Sequence, residues 1–257
     1  MDLQAVVAQF RGKVRKHTLL PMKAIFPPEL EDELKLEFFS GSLSGYFVDI
    51  GANDPKDGSQ TWPLEQLGWE GVLVEPQHDL AERLRQERRA KVYAVACSSP
   101  KNSGKSATLN LAGVHTSLDP DFFVAGMRPV GTSNVLLRTL DEILIDAKAP
   151  APLDFVSIDV EGHELEVLEG FDLDRWRPRL IMVEDLAFNL STHRYLTRRG
   201  YKWVRRTGIN GWYVPADSPM TISPMGHLQF FRKHYLGVPF RVLRERKRRL
   251  TAKWRQG

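Results

Sequence analysis

Phe47-Val-Asp-Ile-Gly-Ala-Asn-Asp54 is the stretch of sequence that decides the fold. It starts with residues that favour β-structure and continues through Asp49 and Gly51 to Asn53. A strand that leads into an acid, a glycine and a small polar residue can turn its backbone sharply and let a ligand approach closely. The pattern predicts the first strand of an α/β sheet, with a ligand site at its carboxyl end.

Further short apolar runs extend this pattern along the chain. Each is about five or six residues long, which suits buried strands of a parallel sheet better than helices. With the first strand they cover residues 46–50, 71–75, 91–96, 153–158 and 180–184. Helical patterns at 79–89, 164–169 and 189–199 alternate with them. This order predicts a Rossmann-like, doubly wound α/β fold with a mostly parallel sheet.

The remaining segments set the predicted domain boundaries. Residues 1–43 are assigned to a helical N-terminal extension, with a short apolar face at residues 6–10 and a second helix that follows Pro27-Pro28 at 29–39. Residues 44–215 form the predicted ligand-binding domain. Residues 216–257 form a basic C-terminal extension.

Three local patterns lie within the main domain. Residues 98–134 are rich in Ser, Gly, Asn and Pro, and are predicted to cross the carboxyl edge of the sheet with a short strand at 107–111. Thr139-Leu-Asp-Glu142 has the spacing of a capping box and predicts a helix start. Residues 201–206 and 211–214 predict a closing hairpin.

Composition narrows the class of protein. With 42% apolar and 26% charged residues, the chain has the balance of an ordinary globular protein. Cys97 is the only cysteine, so no internal disulfide can form. The N-terminus lacks the apolar core and cleavage site of a secretory signal, and no apolar run is long enough to cross a bilayer. We expect a cytoplasmic protein.

The charge is unevenly distributed. From His227 onward the chain has ten Lys and Arg residues and one acid, a net charge of +9, so residues 1–226 carry −5 of the total of +4. A basic protein invites a nucleic-acid interpretation, but an acidic body argues against it. We therefore expect no nucleic-acid partner.

The basic tail has an apolar stripe. Phe240, Leu243, Leu250 and Trp254 follow helical spacing among the cationic residues. Such a helix can lie on an anionic membrane, which predicts peripheral contact through residues 227–257 at the inner face of the membrane. The stripe can equally pack on the protein's own body or on another subunit, so a homo-oligomer stays open.

The second strand ends in Glu75-Pro76, 24 residues after Gly51. An acid at this place can accept hydrogen bonds from both ribose hydroxyls of a nucleoside. Dinucleotide sites use G-x-G-x-x-G to hold a pyrophosphate, but here Asn53 and Lys56 replace the second and third glycines. The pattern therefore disfavours NAD and favours S-adenosylmethionine, which has no phosphate.

The predicted contacts with S-adenosylmethionine follow from its charges. Asp49 would favour the cationic part of the molecule, and the polar stretch 58–61 that opens the next helix would hold its carboxylate. The full predicted cofactor set is Asp49, Gly51, Ala52, Asn53, Ser59, Thr61, Glu75 and Pro76. The alternative is that Asp49 and Asn53 only form a turn and that Glu75 is an exposed strand end.

The chain resembles the FkbM family of methyltransferases over about residues 44–215. The matching stretches are Phe47-Val-Asp-Ile-Gly-Ala-Asn-Asp54, Val74-Glu-Pro76, Leu140-Asp141 and, most specifically, Val156-Ser-Ile-Asp-Val-Glu-Gly-His-Glu-Leu-Glu-Val-Leu-Glu-Gly170. The resemblance implies a fold of the class I methyltransferase type, bound S-adenosylmethionine and methyl transfer to oxygen. Many family members act on sugars, so it also implies a sugar or glycan acceptor.

The candidate catalytic residues leave the fourth strand in the segment Asp159-Val-Glu-Gly-His163. Asp159 and His163 are candidate general bases, since proton removal must accompany attack on the methyl group, and Glu161 lies between them. Asp159, Glu184 and Asp185 stand at neighbouring strand ends and form a candidate Mg²⁺ site. The alternatives are that His163 caps a helix and that Glu161 is solvated.

Three functions are compatible with a nucleoside-binding α/β domain that has a basic tail. The sequence favours a S-adenosylmethionine-dependent O-methyltransferase acting on a sugar or glycan. The glycine pattern that an NAD-linked sugar dehydrogenase or epimerase requires, G-x-G-x-x-G, is absent, which argues strongly against these enzymes. A non-catalytic nucleoside-fold protein, binding nucleic acid or membrane through its basic tail, is the alternative from another class.

Overall fold

The computed structural model describes residues 28–40, 42–113, 115–119, 129–184, 190–222, 224–237 and 243. The apolar face at residues 6–10, the candidate ligand Asp185 and three members of the tail stripe (Phe240, Leu250 and Trp254) lie outside these residues. The strands are β1 Tyr46–Ile50, β2 Glu70–Val74, β3 Lys91–Tyr93, β4 Ala96–Cys97, β5 Ser106–Leu111, β6 Gly131–Arg138, β7 Phe155–Ile158, β8 Leu180–Glu184, β9 Tyr201–Thr207 and β10 Asn210–Pro215.

Helices follow most of these strands. They are α1 Pro28–Phe38, α2 Trp62–Gln66, α3 His78–Glu87, α4 Leu140–Ala147, α5 Glu164–Glu169, α6 Leu173–Trp176, α7 Ser191–Arg198 and α8 Pro224–Phe231, with a 3₁₀ turn at Pro100–Asn102 and a π-helical turn at Arg232–Gly237. The predicted helices at 29–39, 79–89 and 164–169 correspond to α1, α3 and α5 within one or two residues.

A seven-stranded sheet organises the protein, with the order β3-β2-β1-β7-β8-β10-β9. The neighbours from β3 to β8 are parallel, whereas β10 is antiparallel to both β8 and β9. The predicted doubly wound, mostly parallel α/β fold is therefore confirmed. The strand order reverses direction between β1 and β7, so their carboxyl ends border a crevice where ligands bind in open α/β sheets.

Both faces of the sheet are covered. On one face Val48, Ile50 and Ile158 pack in a cluster with α4 and α5. On the other face Phe47 and Phe155 pack against Trp69 and Phe39, which follows α1. Alternate residues of one strand enter opposite clusters because successive side chains of a strand point to opposite faces. The continuous apolar runs of the sequence reflect burial on both sides.

A second sheet has three strands in the order β4-β6-β5, and it was not predicted from the sequence. The run 91–96, predicted as one strand, divides into β3 of the large sheet and β4 of the small one. The expected strand at 107–111 is present as β5, but its partner β6 was not predicted. In β6 only Val135 and Leu137 are buried, so most of its residues carry no apolar signal.

Two further predictions from local sequence patterns, the capping box and the hairpin, are present in the structure. Thr139 and Glu142 form the predicted capping box: the Thr139 side chain accepts from the backbone N–H of Glu142, and the Glu142 side chain accepts from that of Thr139. The predicted hairpin is present as β9 and β10. Among the described residues, no helix is both long and apolar enough to cross a membrane.

Candidate functional site

The turn after β1 can be formed only by glycine at position 51. Gly51 has a φ of +85°, and a Cβ atom there would lie 1.8 Å from the carbonyl oxygen of Asp159. Its N–H donates to the carbonyl of Val74, 2.9 Å away. The ends of β1, β2 and β7 are thus drawn together, which places the residues after all three strands around one cavity.

Glu75 supports this turn from the end of β2. The residue is 2% exposed. Its Oε2 accepts from the N–H of Asn53 at 2.9 Å, and its Oε1 accepts from the N–H of Gln77 at 2.8 Å. Burial raises the pKa of the carboxyl, while these two amide donors lower it. Each oxygen has a second lone pair, so the carboxylate can still accept from a ligand.

The cavity lies at the carboxyl edge of the large sheet, and the space between atoms there is about 550 Å³, part of which is open solvent; the volume open to the centre of a water molecule is about 50 Å³. Its walls combine polar groups from the strand ends with apolar side chains from the segment between β3 and β6, residues 94–130, which we call the excursion. The lining residues are Ile50, Gly51, Asn53, Val74, Glu75, Pro76, Gln77, Val95, Ala96, Cys97, Leu109, Thr116, Leu118, Asp159, Val160, Glu161 and His163. Seven of the predicted site residues therefore meet here, because Gly51, Asn53, Glu75, Pro76, Asp159, Glu161 and His163 all line it.

Four of the predicted cofactor residues do not line this cavity: Asp49, Ala52, Ser59 and Thr61. Ile50 faces the cavity, and Asp49 precedes it in the same strand, so its side chain points to the opposite face. Asp49 is 3% exposed and accepts a hydrogen bond from Thr61 Oγ1 at 2.8 Å. Burial raises its pKa, which the Thr61 hydroxyl and Arg88 partly oppose.

Asp49 belongs to a buried polar network centred on Arg88. The Arg88 guanidinium donates to Thr61 Oγ1 at 3.1 Å, to Ser59 Oγ at 3.2 Å and to the carbonyl of Pro55 at 3.0 Å. It also forms a fully buried ion pair with Glu65 of α2. The network holds the loop from β1 to α2 in place behind the cavity. The sequence did not reveal it, since Arg88 has no pattern that distinguishes it from exposed Arg89.

A cluster of carboxylates lies on the β7 side of the cavity. Asp159, Glu161 and Glu184 each offer an oxygen, and these oxygens lie within 4.8 Å of one another. Glu184 ends β8 and is 6% exposed, whereas solvent reaches Asp159 through the cavity. Of the predicted metal ligands, the structure brings Asp159 and Glu184 together and adds Glu161. The third predicted ligand, Asp185, lies outside the described residues.

Crowding of these acids changes their protonation. Although solvent reaches part of Asp159 through the cavity, the protein packed around its carboxyl removes water from it, and this desolvation, together with the charge of Glu161, raises its pKa to about 6. Burial and the charges of Asp159 and Glu161 raise the pKa of Glu184 to about 10. Burial also raises that of Glu164 to about 7, although the carboxylate accepts from the N–H of Gly162 at 2.8 Å. These carboxyls therefore retain protons at neutral pH.

His163 lines the cavity with both ring nitrogens near polar partners. Its Nε2 lies 3.0 Å from Ser98 Oγ, and its Nδ1 lies 3.7 Å from Glu166. Ser98 Oγ also accepts from Asn102, so its own hydrogen is available for His163 Nε2. Burial lowers the pKa of the imidazole. His163 precedes α5 without forming a side-chain cap, so the alternative capping role is not observed.

A second histidine, His115, contacts the cluster from the part of the excursion that lies between β5 and β6. His115 Nδ1 lies 2.9 Å from Glu161 Oε1, and Ser117 Oγ donates to the Glu161 carbonyl at 2.7 Å. Glu161 has a φ of +52°, an uncommon conformation for a residue with a side chain. The sequence offered only the position of His115 in a segment predicted to cross the sheet edge, with no spacing that links it to Glu161.

Comparison with known proteins identifies the family. The model of the methyltransferase FkbM domain matches residues 49–203, more than half of the chain. The chain belongs to the FkbM methyltransferase family. It is therefore a S-adenosylmethionine-dependent methyltransferase, as the resemblance in sequence implied. No curated protein sequence matches this FkbM methyltransferase.

Solved methyltransferase structures are similar to the FkbM methyltransferase at low sequence identity. A methyltransferase from Geobacter sulfurreducens is 13% identical, with 85% of this chain and 89% of that chain covered and a TM-score of 0.39. An O-methyltransferase from Bacillus cereus in complex with SAH is 12% identical, with 83% and 90% covered and a TM-score of 0.42. The N-terminal domain of human METTL16 in complex with SAH is 14% identical, with 83% and 81% covered and a TM-score of 0.39.

Proposed function

We propose that this FkbM methyltransferase transfers a methyl group to a hydroxyl of a sugar or glycan. The observation that carries the proposal is the charge of the cavity. Glu75, Asp159 and Glu161 line it, and none of the described lining residues is Lys or Arg. The lining therefore offers no cationic side chain to pair with the phosphates of RNA, whereas its carboxyl groups can form hydrogen bonds with the hydroxyls of a neutral sugar.

The lining suits the donor as well. In this proposal the Glu75 carboxylate binds the ribose hydroxyls, with Gly51, Asn53 and Pro76 forming the adjoining wall. The apolar side chains of the excursion, from Val95, Leu109 and Leu118, provide the kind of surface that a purine ring requires. Asp49 and Thr61 act from behind the cavity, by holding the loop that follows β1.

The protein's part in the chemistry is to position the acceptor and receive its proton. S-adenosylmethionine supplies an electrophilic methyl group on a sulfonium. Asp159, Glu161 and His163 share one side of the cavity. We assign proton acceptance to His163 when the carboxylates hold a cation, and to Asp159 or Glu161 when they do not. A positioned base of this kind contributes about 10²–10⁴ in rate.

A divalent cation such as Mg²⁺ is part of the proposal. When bound beside the acceptor it would lower the pKa of the hydroxyl that is methylated. The carboxylate cluster has the oxygen ligands that Mg²⁺ prefers. Methyl transfer measured in EDTA and again with added MgCl₂ tests this part, because full activity in EDTA would remove the cation from the reaction.

We also propose that residues 227–257 contact an anionic membrane from the cytoplasmic side. Leu228, Phe231, Tyr235 and Leu236 in the described part of this segment are each at least half exposed, and Leu243 is 63% exposed. Exposed apolar side chains beside basic residues suit a membrane surface. Co-sedimentation with anionic vesicles tests the idea, and sedimentation velocity without vesicles detects a homo-oligomer that covers these side chains instead.

The main experiment has two stages. Calorimetry compares S-adenosylmethionine with NAD⁺ and an RNA oligonucleotide, and only the first is expected to bind. A panel of sugars and glycans is then screened with S-adenosylmethionine labelled in the methyl group, with an RNA pool and a phenol panel beside it. Label in RNA or phenols and none in any sugar would overturn the acceptor class while leaving the methyltransferase activity intact.

A further inference from the structure

The described part of the carboxylate cluster contains two of the metal ligands predicted from the sequence, Asp159 and Glu184, and adds Glu161. The third predicted ligand, Asp185, lies outside the described residues. Asp159 and Glu184 come from the ends of adjacent parallel strands β7 and β8, whose pairing includes Ile158 with Val183. Glu161 reaches the same point from the turn that follows β7. Three carboxylates therefore converge from two strand ends and one turn.

Glu184 provides an independent indication that this cluster receives a ligand. Only 6% of the residue is exposed. Its Oε2 has no hydrogen-bond donor among the described residues, and the side-chain partner of its carboxyl is Asp159, a second acid of the same cluster, so that contact requires a proton on one of the two. A buried carboxylate oxygen without a donor is costly unless a proton or a cation compensates for it.

His115 acts on the cluster from outside. The hydrogen bond between its Nδ1 and Glu161 Oε1, at 2.9 Å, orients the Glu161 carboxylate, which still has free lone pairs for the cluster. Only 14% of the Glu161 side chain is exposed, compared with 30% for His115. Carboxylates that bind metal ions are commonly held by a hydrogen bond of this kind, and loss of the outer partner weakens metal affinity by about 10–100-fold.

We propose that Asp159, Glu161 and Glu184 bind one hard divalent cation, Mg²⁺ or Mn²⁺, and that His115 is a positioning residue for Glu161 in this site. Three carboxylate oxygens are hard ligands, and the described part of the chain places no Cys or His nitrogen among them. The set therefore favours Mg²⁺ or Mn²⁺ over softer metals. The role of the cation in methyl transfer rests on the proposed function. Binding of the cation does not, since it requires neither S-adenosylmethionine nor an acceptor.

The test titrates Mn²⁺ into the chelator-treated full chain and follows free Mn²⁺ by electron paramagnetic resonance, with MgCl₂ as competitor in calorimetry. We expect one equivalent to bind to the wild type. Glu184→Gln and Asp159→Asn should weaken Mn²⁺ at least tenfold, and His115→Ala should weaken it by about 10–100-fold. Glu70→Gln, an exposed acid at the start of β2, should bind Mn²⁺ like the wild type.

Circular dichroism and thermal melting confirm that each variant is folded before its affinity is compared. No binding to the wild type at 10 mM metal, about tenfold above the weakest site affinities of roughly 10⁻³ M, would overturn the proposal and leave the cluster as carboxyls that share protons. Equal affinities of the wild type and Glu184→Gln would also overturn it. Binding of S-adenosylmethionine is measured separately, in EDTA. If the donor binds but Mn²⁺ does not, the cation site fails and the proposed function survives; if Mn²⁺ binds but the donor does not, the proposed function fails and the cation site survives.

Discussion

The backbone N–H of Asn53 donates to Oε2 of Glu75 at 2.9 Å, so the turn after β1 is held by the residue that follows β2. Asn53 has a φ of +51°, which a non-glycine residue adopts only with support from its surroundings. The carboxylate that we assign to the ribose is therefore also part of the structure that shapes the cavity. Binding and stability are coupled at this position.

Replacing Glu75 by Ala tests this coupling. The change removes a ribose acceptor and leaves the partly buried backbone amides of Asn53 and Gln77 without the partner they have in the wild type. We expect a loss of unfolding free energy of at least about 1–3 kcal/mol, together with weaker binding of S-adenosylmethionine. Urea denaturation and calorimetry measure the two effects. Glu70→Ala at the exposed start of the same strand is the control, and an unchanged dissociation constant in Glu75→Ala would contradict the ribose assignment.

Gly51 and Gly58 form a matched pair for the close approach of the strand ends. Both have positive φ, +85° and +73°, but a Cβ at position 58 meets no atom within 4 Å. Gly58→Ala should therefore cost only the backbone strain, about 1–2 kcal/mol. Gly51→Ala adds the clash with the Asp159 carbonyl and should cost roughly 3 kcal/mol or more, or prevent folding. Similar urea midpoints for the two variants would show that β1 and β7 are not packed this closely.

Glu184→Gln tests the protonation of the cluster through stability, measured in chelator. Because the pKa of Glu184 is raised from 4.5 to about 10, the folded state binds more protons than the unfolded state between these values. Its contribution to stability is complete below about pH 4.5 and is lost as the pH rises towards 10, at a slope of up to about 1.4 kcal/mol per pH unit.

The variant lacks this loss, so its stability relative to the wild type should increase from pH 5 to pH 9. Glu82→Gln on the exposed side of α3 is the control. Urea denaturation at each pH gives the comparison. A difference between Glu184→Gln and the wild type that stays constant with pH would mean that Glu184 titrates normally.

Arg88 offers a test of the buried network. Arg88→Leu leaves Glu65, which is 1% exposed, without its cationic partner, so we expect a loss of about 3–5 kcal/mol. The double variant Arg88→Leu/Glu65→Leu removes both charges and should recover part of that loss. A double-mutant cycle from urea denaturation gives the coupling. Additive effects of the two substitutions would show that the ion pair does not act as a unit.

Much of the fold followed from short stretches of sequence. The strands β1 and β8 were predicted with their observed bounds, because a buried strand is recorded as an unbroken apolar run. The capping box at Thr139 needs only two residues three positions apart. By contrast, β6 was missed because its partner β5 and the small sheet, rather than its own composition, make it a strand.

The candidate site divides in the same way. Its position at the ends of β1, β2 and β7 was predicted, since the carboxyl ends of parallel strands share one edge. The sequence did not predict that Asp49 points away from the cavity, nor that His115 contacts Glu161. Whether the four residues behind the cavity influence donor binding stays a prediction, as does the division of the chain at residues 43 and 215.

The sequence by itself determined the order of strands and helices, the turn at Gly51 and the acids at the strand ends, because each depends on neighbours along the chain. Only the tertiary structure decided which of those acids meet. Asp159, Glu161 and Glu184 converge because β7 and β8 pair in one register and the turn after β7 folds back. His115 joins them across 46 residues, a contact that depends on the path of the excursion and has no local signal.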